Sequence, residues 1–403
     1  MKKIENFISE NYIKINEIMI YFLLISMSLF LSTKYFPIIE IGLVFVAIYI
    51  IYFSILKEMK PILEFIKSPF FIWYMLFWTF VVVITCIRNQ VQLLVLIKTI
   101  IAFSAYVIGF GIIYNDTETK KNIDIFKIME NIAIFLGIWI LVWEHNLLLQ
   151  GERIGYSVMV GNPNSAASLL SIYVFAVIYK VSKNRKKIDI FALILCVFVI
   201  FSTGSKKAII VVAIASLLLL FKDGKIVKKR ILYFGITLGV IILACFTVPA
   251  LYEYIGRRFL SLFGEIGLIQ FHSDHSSELR AEYIEKAIEL WKNNLWIGGG
   301  YDNFRVNSGF ETYSHNNYVE LLSSVGILGL TIYYGYYLLL LWKNARQSNL
   351  NMKNILYILF IISTLVSDVG SVIFSLYPLY YIMLIIIDND TALKSKKEEI
   401  NGI

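Results

Sequence analysis

Residues 69–87 read PFFIWYMLFWTFVVVITCI, a stretch without a single charged side chain. A helix needs about 20 mostly apolar residues to cross the hydrocarbon core of a bilayer, and this stretch is long enough to do so. The whole chain shares its character, because 58% of its 403 residues are hydrophobic and only 16% are charged. Soluble domains carry roughly 25% charged residues. The composition therefore excludes soluble, disordered and disulfide-stapled secreted proteins and predicts an all-α integral membrane protein.

Similar apolar runs predict about twelve transmembrane helices. They lie near residues 17–33, 36–56, 69–87, 91–114, 130–143, 164–181, 188–203, 207–221, 231–250, 316–342, 354–367 and 371–387. The loops test this count, since cytoplasmic loops of membrane proteins are enriched in lysine and arginine. Alternate loops contain 25 of the 37 lysine and arginine residues, whereas the opposite short loops contain five. This bias predicts that both termini are cytoplasmic, and it explains the net charge of +8 without a nucleic-acid partner.

One external segment, residues 251–315 between the ninth and tenth predicted spans, is much longer than the other loops. Long loops in compact proteins are usually functional or disordered. Within this one, Ser277–Trp291 has apolar side chains at helical spacing: Ile284, Ala287, Ile288 and Trp291. The pattern predicts an amphipathic helix over the outer mouth of the bundle. We interpret residues 1–403 as a single polytopic membrane domain that includes this loop.

Two polar clusters lie on the predicted external face before the long loop. The first is GERIGYSVMVGNPNSAAS at residues 151–168, whose polar candidates are Arg153, Asn162 and Asn164. Asparagine followed by proline is typical of a helix start. One interpretation is that this cluster is only a helix cap, and the other is that it also forms part of a functional site.

The second cluster is STGSKKA at residues 202–208, where Lys206 and Lys207 run against the positive-inside trend. They stand at a helix N-terminus, whose dipole adds positive potential. An anion such as a phosphate or diphosphate would pair with them. The alternative is that both lysines extend to the membrane interface as solvated side chains.

The third cluster follows the amphipathic helix, which carries Arg280, and continues through WIGGGYDNF at residues 296–304 and SHNNYVELLSSVGILGL at residues 314–330. Its polar candidates at the start of the tenth span are His315, Asn316, Tyr318 and Glu320. A single histidine is more often a structural hydrogen-bonding group than a catalyst, whereas a carboxylate inside a membrane is a functional candidate. The three consecutive glycines allow close backbone approach or merely form a turn.

The order and context of these clusters resemble the O-antigen ligase and O-antigen polymerase superfamily of bacterial membrane glycosyltransferases. The likeness covers roughly residues 150–390. It rests on GNPNSAA, on S-x-K at the start of the eighth span, and on the arginine-led helix of the long loop, followed by WIGGGYDNF and SHNNYVELLSSVGILGL. It implies a GT-C-like helical bundle in the bacterial cytoplasmic (inner) membrane, with an extracytoplasmic active site. It also implies a metal-independent transfer that needs no cofactor.

The resemblance further implies the substrates and the roles of the site residues. The donor is a glycan joined through a diphosphate to a polyprenol, normally undecaprenol, and the acceptor is a sugar hydroxyl. By resemblance His315 is the catalytic base, while Arg280 and Lys206 hold the donor diphosphate. Many relatives carry arginine in place of Lys206, and lysine lacks the bidentate fork of arginine. The residues expected to bind substrate are Lys207, Arg153, Asn162, Asn164, Asn316, Tyr318 and Glu320. Membrane lipids, a flippase and a chain-length regulator are the other expected partners.

Three activities are compatible with these motifs. A polymerase moves the growing chain onto a new lipid-linked repeat unit, and a ligase moves the finished chain onto a lipid or cell-wall acceptor. We favour the polymerase, because abundant lysine, isoleucine and asparagine fit an AT-rich Gram-positive source without a lipopolysaccharide core. A flippase or transporter for the same lipid-linked glycan is the third possibility. It is disfavoured by the lack of an inverted repeat in the sequence.

Overall fold

The computed structural model describes residues 2–29, 36–88, 90–157, 162–247, 252, 275–347, 350–370, 372, 374 and 377–400. The helices up to the second external cluster are α1 (Lys2–Leu29), α2 (Phe36–Leu56), α3 (Lys60–Ile66), α4 (Pro69–Arg88), α5 (Leu93–Asn115), α6 (Thr117–Asn122), α7 (Ile125–Trp143), α8 (His145–Leu149), α9 (Pro163–Lys183), α10 (Lys187–Thr203) and α11 (Lys206–Ser216). Those that follow are α12 (Lys228–Thr247), α13 (His275–Lys292), α14 (Asn303–Asn307), α15 (Asn317–Ala345), α16 (Met352–Ser367) and α17 (Pro378–Ile400). Short 3-10 turns occupy Gln90–Gln92, Leu217–Leu220 and Asp368–Gly370. A two-stranded antiparallel hairpin joins α11 to α12, with β1 (Phe221–Lys222) paired to β2 (Lys225–Ile226).

The protein is an all-α integral membrane protein, as its composition predicts. Within the described residues, seven helices are long and apolar enough to cross a membrane: Asn11–Leu29, α4, α5, α7, α9, α15 and Met352–Gly370. The α2 and α3 helices make an eighth candidate, bent by 106° where Glu58 and Met59 adopt positive φ angles. The chain therefore passes through the membrane several times.

Each of the twelve predicted spans overlaps a helix, but not every one of these helices meets that criterion on its own. The seventh and eighth spans correspond to α10, with 17 residues, and α11, with 11 residues. The total of twelve spans therefore stays a prediction. The last helix also starts later than expected, at Pro378 instead of residue 371. Proline suits the first turn of a helix because it lacks the N–H group that would have no partner there.

The centre of the bundle is α9, which packs against α7, α10, α11 and α16. Nearly all of its side chains are buried. Small residues at its start, Ser165 to Ser168, allow neighbouring helices to approach closely. This burial places the N-terminus of α9 inside the packed assembly of helices.

The predicted amphipathic helix is confirmed as α13, which runs from His275 to Lys292. It packs on the start of α15 through a small apolar cluster formed by Ala287, Phe304 and Val319. Residues 251 and 253–274 of the predicted long loop lie outside the described residues. The described end of the loop is thus attached to a membrane helix along an apolar face.

Candidate active site

The backbone of α15 is broken at Gly326, where φ is 65° and ψ is −167°. Residues 295–300, which we call the glycine strap, run alongside the break and hydrogen-bond to it. The backbone N–H groups of Gly299 and Gly300 donate hydrogen bonds to the carbonyls of Ser323 and Ser324, both at 2.8 Å. In return, the carbonyl of Leu295 accepts from the N–H of Ile327 at 3.0 Å, and that of Trp296 accepts from the N–H of Leu328 at 3.1 Å. Backbone groups released at a helix break inside a membrane protein need such replacement partners.

Glycine is required on both sides of this contact. A Cβ atom at Gly298 would overlap the backbone of Ser324 and Val325, and a Cβ at Gly326 would overlap the backbone of Trp296. Gly298 and Gly326 also have positive φ angles. Of the two interpretations of the triple glycine, the structure supports close backbone approach. The strap brings the described end of the long loop against the tenth predicted span.

His315 lies in the turn between the strap region and α15 and has a φ of 57°, in the left-handed region. Its ring lies 5.9 Å from the ring of Tyr283, nearly parallel to it, and 4.2 Å from that of Tyr313. The carboxylate of Glu320 accepts a hydrogen bond from the backbone N–H of Ser314 at 2.8 Å. Glu320 is buried and holds the turn in place, so its observed contact is structural.

Two cationic side chains lie within electrostatic range of His315. Burial lowers the pKa of the His315 imidazole, and the positive charges of Arg280 and Lys207 lower it further, to about 4. Arg280 is carried by α13, whereas Lys207 is the second residue of α11. Three predicted site residues that are far apart in the sequence therefore converge on one place.

The two adjacent lysines of α11 do not occupy equivalent positions. Successive residues of an α-helix point about 100° apart, so Lys206 and Lys207 face different sides. Lys207 extends to the 3-10 turn after α16, with its Cδ atom 3.8 Å from where a Cβ of Gly370 would lie. It also interacts electrostatically with Arg280 and Asp368. Lys206 is half-buried at the first position of the helix, and its predicted contact with the diphosphate stays a prediction.

Asp368 is a site residue that sequence reasoning missed. It is fully buried and accepts hydrogen bonds from the hydroxyl of Tyr334 at 2.6 Å and from the amide of Asn317 at 3.1 Å. Together with its attraction to Lys207, these contacts tie the start of α15 to the end of α16 and to α11. A carboxylate in the apolar sequence between two predicted spans was a usable signal, because such residues are rarely placed there without a partner.

The first polar cluster is joined by its own hydrogen bonds. Asn162 caps α9 by accepting from the backbone N–H of Asn164 at 2.9 Å. Arg153 donates to the side-chain oxygen of Asn164 and to the carbonyl of Thr203, both at 2.7 Å. The predicted helix start is confirmed, and Arg153 links it to the end of α10. A role of these three residues in binding substrate stays a prediction.

Glu144, directly after α7, holds the loop of the first polar cluster in place. Its side chain is buried and accepts hydrogen bonds from the backbone N–H groups of Gly155, Tyr156 and Ser157. A carboxylate that accepts several backbone hydrogen bonds is strongly held. Glu144 therefore fixes the loop that carries Arg153.

Asn316 and Tyr318 shape the start of α15. The side chain of Asn316 accepts from the backbone N–H groups of Tyr318 at 3.0 Å and Val319 at 3.3 Å, as an N-cap does. The Tyr318 hydroxyl donates to the carbonyl of Leu365 at 2.8 Å.

Within the described residues, no group of three or more His, Cys, Asp or Glu side chains is placed to hold a metal ion.

The fold and the site define a class of protein: a multi-pass, all-helical membrane protein with a histidine and two cations gathered beside a broken helix. Residues 191–334 match the model of a protein family described as O-antigen ligase. Over these residues the chain is similar to that family, and the match agrees with the resemblance seen in the sequence motifs. The matched part contains Lys206, Lys207, Arg280 and His315, whereas the first polar cluster precedes it. No curated protein matches the chain.

Proposed function

We propose that this protein polymerises lipid-linked oligosaccharide repeat units at the outer face of the bacterial cytoplasmic membrane. The donor is a glycan on polyprenyl diphosphate, of which undecaprenol is the expected lipid, and the acceptor is a sugar hydroxyl of the next repeat unit. The convergence of Arg280, Lys207 and His315 inside the segment that matches the O-antigen ligase family carries this proposal. The cytoplasmic position of both termini, and hence the external position of the site, rests on the distribution of basic residues in the loops.

In the proposed reaction the acceptor oxygen forms a bond to the anomeric carbon of the donor glycan. The bond from that carbon to the diphosphate oxygen breaks, and its electron pair leaves with the polyprenyl diphosphate. The hydroxyl proton passes to a ring nitrogen of His315, acting as a general base. Attack from the face opposite the leaving group inverts the configuration at the anomeric carbon.

The cations act on the leaving group. Negative charge grows on the diphosphate as its bond to the sugar breaks, and fixed cations that face this charge lower the barrier. Arg280 offers a planar guanidinium that matches phosphate oxygens, whereas a lysine supplies a point charge. No step of this reaction requires a cofactor or a metal ion.

The same cations connect donor binding to the state of the base. Burial and the charges of Arg280 and Lys207 hold the pKa of His315 at about 4. A bound diphosphate neutralises part of that positive charge, so the pKa of His315 rises toward neutrality when the donor is present. A base whose pKa lies nearer the working pH accepts a proton more effectively. The base thus becomes most effective when there is a donor to react.

Purified protein supplied with a lipid-linked repeat unit tests the reaction type directly. A polymerase gives a ladder of products on a gel, with an inverted configuration at each new linkage. A single transfer to a second acceptor identifies a ligase instead, and the site residues keep their proposed roles. Movement of the substrate across the membrane without a new glycosidic bond identifies a flippase and contradicts both transferases.

The two lysines of α11 give a matched pair of variants. We expect Lys207→Gln to lower kcat/KM by about 10- to 100-fold, the size expected for losing a hydrogen bond to a charged group. Lys206→Gln tests the neighbouring lysine in the same way, and we expect the larger loss in the Lys207 variant because the charge of Lys207 acts on both His315 and Arg280. Lys207→Arg keeps the charge opposite the buried Asp368 and controls for misfolding. A larger loss in Lys206→Gln would restore the assignment that the family resemblance implies.

A further inference from the structure

A second cationic feature lies at the far end of the same helices. The candidate site is at the start of α9 and α11 and at the end of α16, whereas this feature lies at the opposite end of each of them. The 21 residues of α9 span about 30 Å, the thickness of a bilayer core. The feature and the candidate active site are therefore at opposite ends of the bundle.

The feature is a cavity of about 790 Å³, which we call the basic cavity. Its charged lining residues are Lys183, Arg185, Lys222, Arg230, Lys353 and Asp223. Loop lysines that only mark a cytoplasmic face need not share a concave surface. Here five cations from four segments of the chain converge on one cavity with a single carboxylate in its lining.

A structured hairpin places one wall of the basic cavity. Asp223 and Gly224, both with positive φ, form its two-residue turn, as an Asp-Gly pair favours. Gly224 lies so close to the chain before α16 that an added Cβ would overlap the carbonyl of Leu350. This contact fixes the hairpin against the α15–α16 connection, with Lys222 in the cavity lining.

The neighbours of the cations show which charges are already compensated. Lys353 pairs with Asp390 at 2.9 Å, and Arg230 donates to the backbone carbonyls of Leu219 and Phe221. The other three cations of the cavity are Lys183, Arg185 and Lys222, and in the part of the chain that the structure describes no salt bridge joins any of them to a carboxylate. Lys183 is attracted at longer range by the carboxylate of Asp124, which leaves Arg185 and Lys222 as the least compensated charges.

Two helix N-termini add to this positive potential. The α12 helix begins at Lys228, close to Arg230, and α16 begins after Asn351, which lines the cavity. The N-terminal end of a helix carries a partial positive charge. The C-terminal end of α9 also lines the cavity and offsets part of this backbone contribution, so the excess positive charge of the open cavity comes mainly from its side chains.

We propose that the basic cavity binds the phosphate headgroup of an anionic phospholipid in the leaflet opposite the active site. A lipid is the favoured source of the phosphate because the cavity lies at the ends of membrane-crossing helices, where headgroups are found. Tyr179, an aromatic residue of the kind that marks membrane interfaces, also lines it. Basic pockets between helices on the cytoplasmic side are suited to phosphate headgroups.

The test uses the full-length protein in nanodiscs of phosphatidylcholine with or without phosphatidylglycerol. The double variant Arg185→Gln, Lys222→Gln removes two cations of the cavity. Its matched control, Lys187→Gln, Lys225→Gln, removes two exposed lysines from the same segments that do not line it. Lys225 is the direct pairing partner of Lys222 in the hairpin. The measurements are the shift in melting temperature with phosphatidylglycerol and the number of such lipids retained in native mass spectrometry.

We expect phosphatidylglycerol to raise the melting temperature of the wild type and of the control, and the cavity variant to bind it about 30-fold more weakly. Equal losses of lipid affinity in the two double variants would show that binding depends on the overall positive charge of the surface and not on the cavity. This result would overturn the proposal. The detergent-solubilised wild type is also tested with inorganic phosphate alone. If phosphate stabilises it as much as phosphatidylglycerol does, the ligand is soluble, and that result would also overturn the proposal.

Discussion

Replacing His315 with asparagine lowers the rate of glycan transfer by about 10²- to 10⁴-fold, the usual contribution of a general base. Asparagine is chosen because residue 315 has a φ of 57°, a conformation that asparagine tolerates and that strains alanine. The variant therefore removes the proton acceptor while leaving the turn intact. The rate is measured with a lipid-linked repeat unit, alongside membrane abundance and melting temperature.

The control for this experiment is Tyr283→Phe, which keeps the aromatic ring beside the His315 imidazole. We expect it to retain most of the activity, because its hydroxyl has no role in the proposed reaction. A His315→Asn protein that transfers glycan at more than a tenth of the normal rate would rule out His315 as the base. Loss of the protein from the membrane would instead assign His315 a structural role.

The pH dependence separates a base from a binding residue. Below its pKa the imidazole is protonated and cannot accept a proton, so activity falls as the pH is lowered through the pKa. In the free enzyme this pKa is about 4 instead of 6.5, and kcat/KM should hold down to that lower pH. Arg280→Gln removes one of the charges that lower the pKa. The acid limb of kcat/KM should therefore move to higher pH in that variant, and an unmoved limb would contradict the assignment.

Replacing Gly326 with alanine should destabilise the folded protein by about 2–6 kcal/mol, the sum of backbone strain and of overpacking. The backbone angles at this position are essentially open to glycine alone, and the added Cβ overlaps the backbone of Trp296. The glycine strap would have to withdraw from α15 and give up the hydrogen bonds that repair the break. The melting temperature in detergent and the yield of monodisperse protein measure the effect.

Gly335 provides the matched control, since it lies in the same helix and a Cβ there meets no atom within 4 Å. Gly335→Ala should leave the melting temperature unchanged or raise it slightly, because alanine favours the helical state. Gly298→Ala should resemble Gly326→Ala, because it meets the same contact from the other side. Equal melting temperatures for the Gly326→Ala and Gly335→Ala proteins would show that the strap contributes little to stability.

The sequence predicted best those features that depend on local pattern. Apolar runs located the helices, helical spacing located α13, and Asn162 with Pro163 marked the start of α9. The hairpin between α11 and α12 was missed although its Asp-Gly turn is a recognisable local signal.

Features that depend on distant partners were less accessible. Nothing near Gly326 distinguishes it from the other glycines of a membrane helix, because its partner is the strap about 30 residues earlier in the chain. Likewise, only the packing of α11 against α16 brings Lys207 toward Asp368. The position of Glu320 in a predicted span makes it a site candidate, whereas its hydrogen bond to the backbone N–H of Ser314 is visible only in the folded turn.

The repaired break in α15 has a consequence for how the protein can be divided. The backbone groups at the break in α15 are hydrogen-bonded by an earlier segment of the chain, so α15 cannot be inserted into the membrane as an independent unit. The strap and α15 have to be present on the same fragment. A two-fragment version of this protein would need its cut before residue 295, so that both partners reside on the second fragment. A chimera that exchanges the external loop with a relative would likewise have to exchange the first turns of α15 with it.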